Sequence, residues 1–469
     1  MKGLINFNFS ELEQLIWDAV QETFQQAMVE ILSMLDLYLM SKRDPDRYEL
    51  KEIKKRNYIT MVGPIEINRR YYWDRHEKKW VYLLDQVLDL APREQISTCL
   101  KELVVLWATK GPSYRDARDR LKDLFGYQVV SHEKIRHVLI QASETLRKRI
   151  IEKPTKKRVR LLFFEADGLW TGVQHRGRKT KRKRETHLVV VHEGWEIRQG
   201  SGDKADYRLK NPMYITMLAN SKEEIWEQVM LRLLEKYENL NKTQFVINGD
   251  LAPWIRRGTE YFRKAIYQYD RFHLKREVKQ MLNTSKEYVA QALDYIDQNN
   301  PEGLFETIGK AAEKTKCMDK KQKLLGFKWN LQKHADALVD YRQRLKRQGV
   351  DVSPSWRGMG AAESNVDLFK LRTAKRGRSW SERGIKAIFH MLGLLYENVL
   401  HNSIKQLDLS LNEDVDAREF IAMSAGKVAK TVGREAIGVP RAGFPAIHRG
   451  NSQGFAKLFR GILNPCLVE

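Results

Sequence analysis

The chain has 469 residues, 42 % apolar and 30 % charged, with a net charge of +23. That is enough for two or three domains with real cores, and the positive excess points to a polyanionic partner, nucleic acid first. Three scattered cysteines (Cys99, Cys317, Cys466) with no Cys-x-x-Cys pair exclude a zinc knuckle and fit a reducing compartment. The N-terminal MKGLINFNFSELEQLIWDAV is too acidic for a secretory signal, and apolar runs of about eighteen residues are absent. The expectation is a soluble cytoplasmic, nucleoid-associated protein that spans no membrane.

A helix is predicted over 10–41, capped by Ser10, with Leu12, Leu15, Ile16, Val20, Phe24 and Met28 on one face. A β-ribbon follows: one strand from Tyr58, a turn at Gly63-Pro64, and a return from Ile65 to Trp73. Residues 95–146 read as three helices. The first ends before Lys110-Gly-Pro112, Ser113 starts the second, Tyr114 to Phe125, which Gly126 stops, and Ser131 caps the third, His132 to Leu146. A short turn and a capped helix with basic positions resemble a helix-turn-helix that contacts DNA.

Past the basic linker 151–160, Arg158 to Asp167 reads as a buried strand ending on an acid. The run 176–184 is intensely basic and is placed in a hairpin loop. Its Arg176, Arg178, Lys179, Lys181, Arg182, Lys183 and Arg184 suit contacts that track a phosphate backbone without reading sequence. Glu185–His192 is a second strand, and a third begins at Trp195–Arg198. Ser221 opens an amphipathic helix with Glu224 in a capping box. Strands at 244–248 and 265–269, ending at Asp250 and Asp270, flank a short helix over 253–262. Three antiparallel strands, then alternating helix and strand, imply a mixed sheet with helices on its faces, the order of ribonuclease-H-like domains.

The fold class is therefore α/β and multidomain: a ribonuclease-H-like mixed sheet with a helical insertion, preceded by a mostly helical N-terminal region with a β-ribbon. The boundaries are a helix and ribbon at 1–94 and a helical DNA-binding segment at 95–150. The catalytic core occupies 158–272 and 355–437, interrupted by a helical insertion at 273–354. A basic Gly/Pro-containing tail fills 438–469.

Phosphodiester chemistry requires an activated oxygen nucleophile and a stabilised leaving oxygen. Two hard cations about 3.5–4 Å apart supply both. Such ions take carboxylates held on rigid elements. Asp167 and Asp250 each follow an apolar strand and have a glycine neighbour. Either could instead cap the next turn. Glu363, behind Gly360-Ala-Ala, is a third candidate; Glu382 is its rival and Glu165 a secondary one. Asp270 and His273 can share a helical face and position phosphate, bind an ion or cap the helix. Trp254, Trp356 and Trp380 are core residues or stacking platforms for an unpaired base.

Five motifs in this order resemble the ISLre-type insertion-sequence transposases: Phe164-Glu-Ala-Asp-Gly168, Gly249-Asp-Leu-Ala-Pro-Trp-Ile255, Asp270-Arg-Phe-His-Leu274, Gly360-Ala-Ala-Glu-Ser-Asn365 and Gly377-Arg-Ser-Trp-Ser-Glu-Arg-Gly384. Many members of that group have been known only as an uncharacterised protein family, and the group looks like a relative of the Mutator-like DDE transposases. The resemblance implies that Asp167, Asp250 and Glu363 are catalytic and bind two Mg2+ or Mn2+ ions, with Asp270 and His273 as an accessory pair. It also implies cleavage at element ends and strand transfer into target DNA by a dimer or higher homo-oligomer. Leu251-Ala252 departs from the glycine expected after the second aspartate. The rival readings are a ribonuclease-H-like nuclease that does not join, and a non-catalytic nucleic-acid-binding protein from a decayed element.

Overall fold

The first helix, α1 (Phe9–Lys42), is capped by Asn8 rather than Ser10 in the computed structural model of the chain, which describes residues 8–148, 156–174, 182–199, 206–219 and 224–405. Asn8 accepts from the Glu11 N–H at 2.9 Å, and Glu11 accepts from the Asn8 N–H at 3.1 Å. This reciprocal box satisfies two donors that Ser10, already inside the first turn, does not reach. Of the expected apolar face, Leu12, Leu15 and Ile16 stay exposed, and the buried leucines are Leu32 and Leu35. The reach of the ribbon explains this. Gln25 donates to the Val62 carbonyl at the ribbon's turn, so the strands cover only the later part of the helix.

The ribbon is longer than the sequence pattern indicates. β1 (Tyr48–Thr60) and β2 (Gly63–Asp74) pair antiparallel from Tyr48↔Asp74 to Thr60↔Gly63. The first part of β1 is charged and largely exposed, which hides it from an apolar-alternation test. The turn falls at Met61-Val62, two residues before the expected Gly63-Pro64. Thr60 Oγ1 accepts from Val62 N at 3.2 Å and donates to the Gly63 carbonyl at 2.8 Å. Gly63, with φ +117°, takes the backbone shape that favours glycine. β3 (Lys79–Val81) and α2 (Leu83–Val87) complete this unit, which the chain leaves at Ser97.

A second unit begins at Thr98. It opens with α3 (Thr98–Lys110), α4 (Tyr114–Phe125) and α5 (His132–Lys148). Ser113 and Ser131 cap the latter two, and Gly126 ends α4 in the left-handed region at φ +76°. Then come β4 (Leu161–Val173), β5 (Arg182–His192), β6 (Trp195–Gln199), β7 (Asp206–Leu209) and β8 (Met213–Leu218). After α6 (Ile225–Lys236) follow β9 (Gln244–Gly249), α7 (Pro253–Arg256), α8 (Gly258–Tyr261) and β10 (Ala265–Tyr269). The helices α9 (Arg271–Met281), α10 (Lys286–Asp297), α11 (Pro301–Lys314), α12 (Met318–Gln332), α13 (Ala335–Leu338) and α14 (Tyr341–Arg347) form the insertion. The chain continues with α15 (Ala361–Thr373), β11 (Ser379–Trp380), α16 (Glu382–Tyr396) and α17 (Leu400–Lys405). Among the described residues no helix is long and apolar enough to cross a membrane.

The main sheet runs β10-β9-β4-β5-β8, with β11 added beside β4. β4, β5 and β8 are antiparallel, and β9 and β10 join parallel to β4. The fold is thus a mixed α/β arrangement. The expected third strand at Trp195 is β6, which pairs with β7 in a separate ribbon. The sheet's third strand is β8, whose six-residue Met-Tyr-Ile-Thr-Met-Leu run gave the sequence reading no separate signal. The run 176–184 does not lie wholly in a loop, because Arg182 to Arg184 already pair with Val173 to Thr171. Arg176, Arg178, Lys179, Lys181, Ser221 and residues 406–469, with the tail, lie outside the described residues. Helix α6 starts at Ile225, and Glu224 is its N-cap without a side-chain bond, so the expected capping box is not its start.

The two-residue period of β4 separates two cores. Leu162, Phe164 and Ala166 pack under Trp226, Val229 and Leu233 of α6. Leu161 and Phe163 face the other way, onto Tyr341 and Leu345 of α14. Glu165 and Asp167 continue this second face. Each fully buried apolar side chain stabilises the sheet by roughly 1.5–3 kcal/mol, which holds β4 rigid beneath its acids.

Candidate metal centre

Asp167 does not end its strand. β4 runs on to Val173 and keeps its pairing with β5, but its pairing with β9 stops at Glu165↔Asn248. The acid therefore stands just past the end of its pairing with one neighbour strand, on the same sheet face as Glu165. Asp250 follows the last residue of that neighbour. On the same face α15 is anchored by buried Ala362, Val366 and Phe369. Its N-terminus is tied to β4 by the Gly360 N–H, which donates to Glu165 at 3.3 Å. Asn365 holds it to β8 by accepting from the Tyr214 hydroxyl at 3.0 Å. Glu363 lies in the first turn of this helix.

Asp270 caps α9, accepting from the His273 N–H at 3.0 Å. This cap turns His273 back over the sheet. Nε2 of His273 lies 3.9 Å from Asp167 Oδ2 and 3.9 Å from Glu363 Oε2. One polar atom from each of Asp167, His273 and Glu363 falls within 4.8 Å of the others. Asp250 is outside this group. Its carboxylate accepts from the Ala252 N–H at 2.9 Å, which draws it into its own loop. It is still near enough for its charge to act on Asp167.

The Asp167 carboxyl is pushed up to about 6, chiefly by burial. The negative charges of Asp250 and Glu363 add to the rise, while His273 and the Gly168 N–H oppose it. Burial and the Glu165 charge likewise raise Asp270. A cation relieves both the burial of the Asp167 charge and its repulsion by the half-buried Asp250 and Glu363. The oxygens of Asp167 and Glu363, with Asp250 beside them, are the donors that a hard divalent ion takes, and the residues present fit one.

A polar link behind the site escaped sequence reading. Asn248 donates through Nδ2 to Glu165 at 2.9 Å and to Asp270 at 2.7 Å, all three residues being buried. The available signal was a polar residue closing the apolar run Phe245-Val-Ile. Glu165, the secondary candidate, is committed to this link and to Gly360.

The rival Glu382 sits on the first turn of α16 and pairs with Arg184 at 3.2 Å and Lys386 at 3.1 Å, apart from the acidic group. Of the basic stretch, Arg184 is engaged in this pair. Trp254 stacks on His187 with centroids 4.0 Å apart, Trp356 packs against Phe163, and Trp380 is buried and donates to the Thr373 carbonyl.

The uncharacterised protein family UPF0236 matches residues 4–408. A UPF0236 protein of Caldanaerobacter subterraneus subsp. tengcongensis, whose name joins designations from TTE0033 to TTE2212, is 25% identical over 381 residues, 81% of this chain and 76% of its own length. A second from that strain, TTE2489, is 25% identical over 384 residues, 81% of this chain and 77% of its own. The UPF0236 protein in the vanSb 3′ region of Streptococcus gallolyticus is 26% identical over 431 residues, 88% of this chain and 90% of its own. With a family match that spans most of its length, this chain belongs to the uncharacterised protein family UPF0236.

Proposed function

We propose that the protein is a DNA transposase that cuts at the ends of an insertion sequence and joins them to target DNA. The observation that carries this reading is the approach of Asp167 and Glu363 within one 4.8 Å group, with the charge of Asp250 acting on it. The sheet order β10-β9-β4-β5-β8, with an antiparallel first half, supports a ribonuclease-H-like core. The net charge of +23 supports DNA as partner. The Caldanaerobacter relative carries eleven designations in its name. One sequence repeated through a genome is the distribution that a self-copying element leaves.

Asp167, Asp250 and Glu363 would hold two Mg2+ or Mn2+ ions, which when bound supply activation of water or a 3′-hydroxyl and stabilise the leaving oxygen. The chain itself supplies placement. Strand β4 fixes Asp167, the β9 loop fixes Asp250, and α15 brings Glu363 over the sheet. Gly249 lets β9 close onto the Ala166 carbonyl and Ile255 just before Asp250, which sets where that aspartate stands. Arg182, Lys183 and Arg184, with Arg176, Arg178, Lys179 and Lys181, would track the phosphate backbone. A dimer or higher assembly would pair the element ends.

The test is a cleavage and strand-transfer assay with Mg2+ on DNA carrying the ends that flank the gene. Cleaved and joined products from the wild type, and neither from Asp167→Asn or Asp250→Asn, are expected. Undiminished activity in either variant refutes the metal-site assignment. Cleavage without joining assigns the chain to the nucleases.

A further inference from the structure

By distance alone, His273 looks like a third ligand beside Asp167 and Glu363. A ring nitrogen ligates only through a free lone pair, and its partner nitrogen determines whether it has one. Nδ1 of His273 lies 2.9 Å from a terminal guanidinium nitrogen of Arg276, one turn further along α9. A guanidinium has five donors and no acceptor, so Nδ1 must accept. A neutral imidazole that accepts at Nδ1 carries its proton at Nε2. Histidines that ligate metals show the opposite arrangement, donating from the second nitrogen to a carboxylate or carbonyl. Arg276 is also held in place, its guanidinium carbon 5.5 Å from the centroid of the Phe272 ring. Nε2 itself is buried and has no hydrogen-bond partner among the described residues. At 3.9 Å from Asp167 and from Glu363 it reaches neither as a hydrogen bond.

We infer that Arg276 is a positioning residue that fixes His273 in its Nε2–H tautomer, so that His273 donates a hydrogen bond to a substrate phosphate oxygen and does not ligate metal. The identity of the acceptor rests on the proposed phosphodiester chemistry; the tautomer rests on the contact with Arg276. An N–H aimed into the gap between two cation-binding carboxylates suits an oxygen that gathers negative charge as the phosphodiester reacts. Replacing Arg276 by a residue without donors frees Nδ1 to take the proton, which turns the Nε2 lone pair inward.

Two measurements on the full chain test this. The first is the nitrogen spectrum of the metal-free protein labelled with 15N-histidine, at a pH where the ring is neutral, with His273 assigned by its loss in His273→Asn. Protonated Nε2 and bare Nδ1 are expected in the wild type, and a mixture in Arg276→Leu. A wild-type ring protonated at Nδ1 overturns the inference. The second is Mn2+ binding by calorimetry. Asp167→Asn is expected to weaken it at least tenfold and His273→Ala less than threefold. Equal losses in the two variants overturn the donor role. If Asp167→Asn binds Mn2+ as the wild type does, the metal-centre reading fails, and the nitrogen spectrum still decides the tautomer.

Discussion

A Cβ added to Gly249 would lie 2.6 Å from the carbonyl oxygen of Ala166, the residue before Asp167. It would also meet Ile255 Cδ1 at 2.8 Å. The backbone oxygen cannot yield without moving β4. Gly249→Ala is therefore expected to cost about 1–3 kcal/mol, as overpacking does, and to displace both aspartates. Gly168 differs, because the atom its Cβ would meet is the tip of the flexible Glu185 side chain. Gly168→Ala is expected to unfold in urea near the wild-type midpoint and Gly249→Ala well below it. Equal midpoints would refute the steric argument.

The raised carboxyl of Asp167 predicts a pH dependence of the metal-free protein. Its folded value, about 6, stands above the ordinary 3.8. For a group raised on folding, the stabilising contribution is full below the unfolded value and is lost as pH rises through the folded one. Thermal stability in a chelator should therefore fall between about pH 4 and 6, on the order of 2–3 kcal/mol for this group. Asp167→Asn removes the charge and should flatten that part of the curve. Parallel wild-type and variant curves over this range would rule out the burial argument.

The parts of the site written as local runs were legible in the sequence. Leu161 to Ala166 reads as a buried strand before Asp167, and Phe245-Val-Ile does so before Asp250. Asp270 as a helix cap was likewise among the readings open from local sequence. The rest depends on neighbours that sequence does not order. Asp167 stands clear of β9 because that pairing stops at Glu165, a fact of register rather than of composition. Glu363 is one acidic helix start among many until Gly360 and Asn365 tie that helix to the sheet. The early part of β1 was hidden because one face of a ribbon strand needs no apolar residues at all.

Asn248 tests the link behind the site. Its amide donates to Glu165 and Asp270 together, and each carboxylate also accepts from a backbone N–H, Gly360 for Glu165 and His273 for Asp270. Asn248→Ala takes one donor from each of two buried acids, which is expected to cost about 1–3 kcal/mol. Asn248→Asp keeps the volume but replaces the donor with a third negative charge, so it should destabilise more than the alanine. Chemical denaturation of the two variants measures this order. If the aspartate variant is the more stable, the amide is not the link that holds the acids.

The choice between the two glutamates can be settled by one pair of variants. Glu363 shares its 4.8 Å group with Asp167. Glu382 is half-exposed and paired with Arg184 and Lys386, partners that hold its carboxyl below its usual range. A surface pair of this kind contributes at most about 1 kcal/mol, and its loss leaves the acidic group untouched. Glu363→Gln should therefore lower Mn2+ affinity at least tenfold and abolish cleavage, without moving the unfolding midpoint downward, because a repelling charge has been removed. Glu382→Gln should bind Mn2+ within twofold of the wild type. Calorimetric titration of both variants gives the comparison, and a larger loss in Glu382→Gln would move the third acid from α15 to α16.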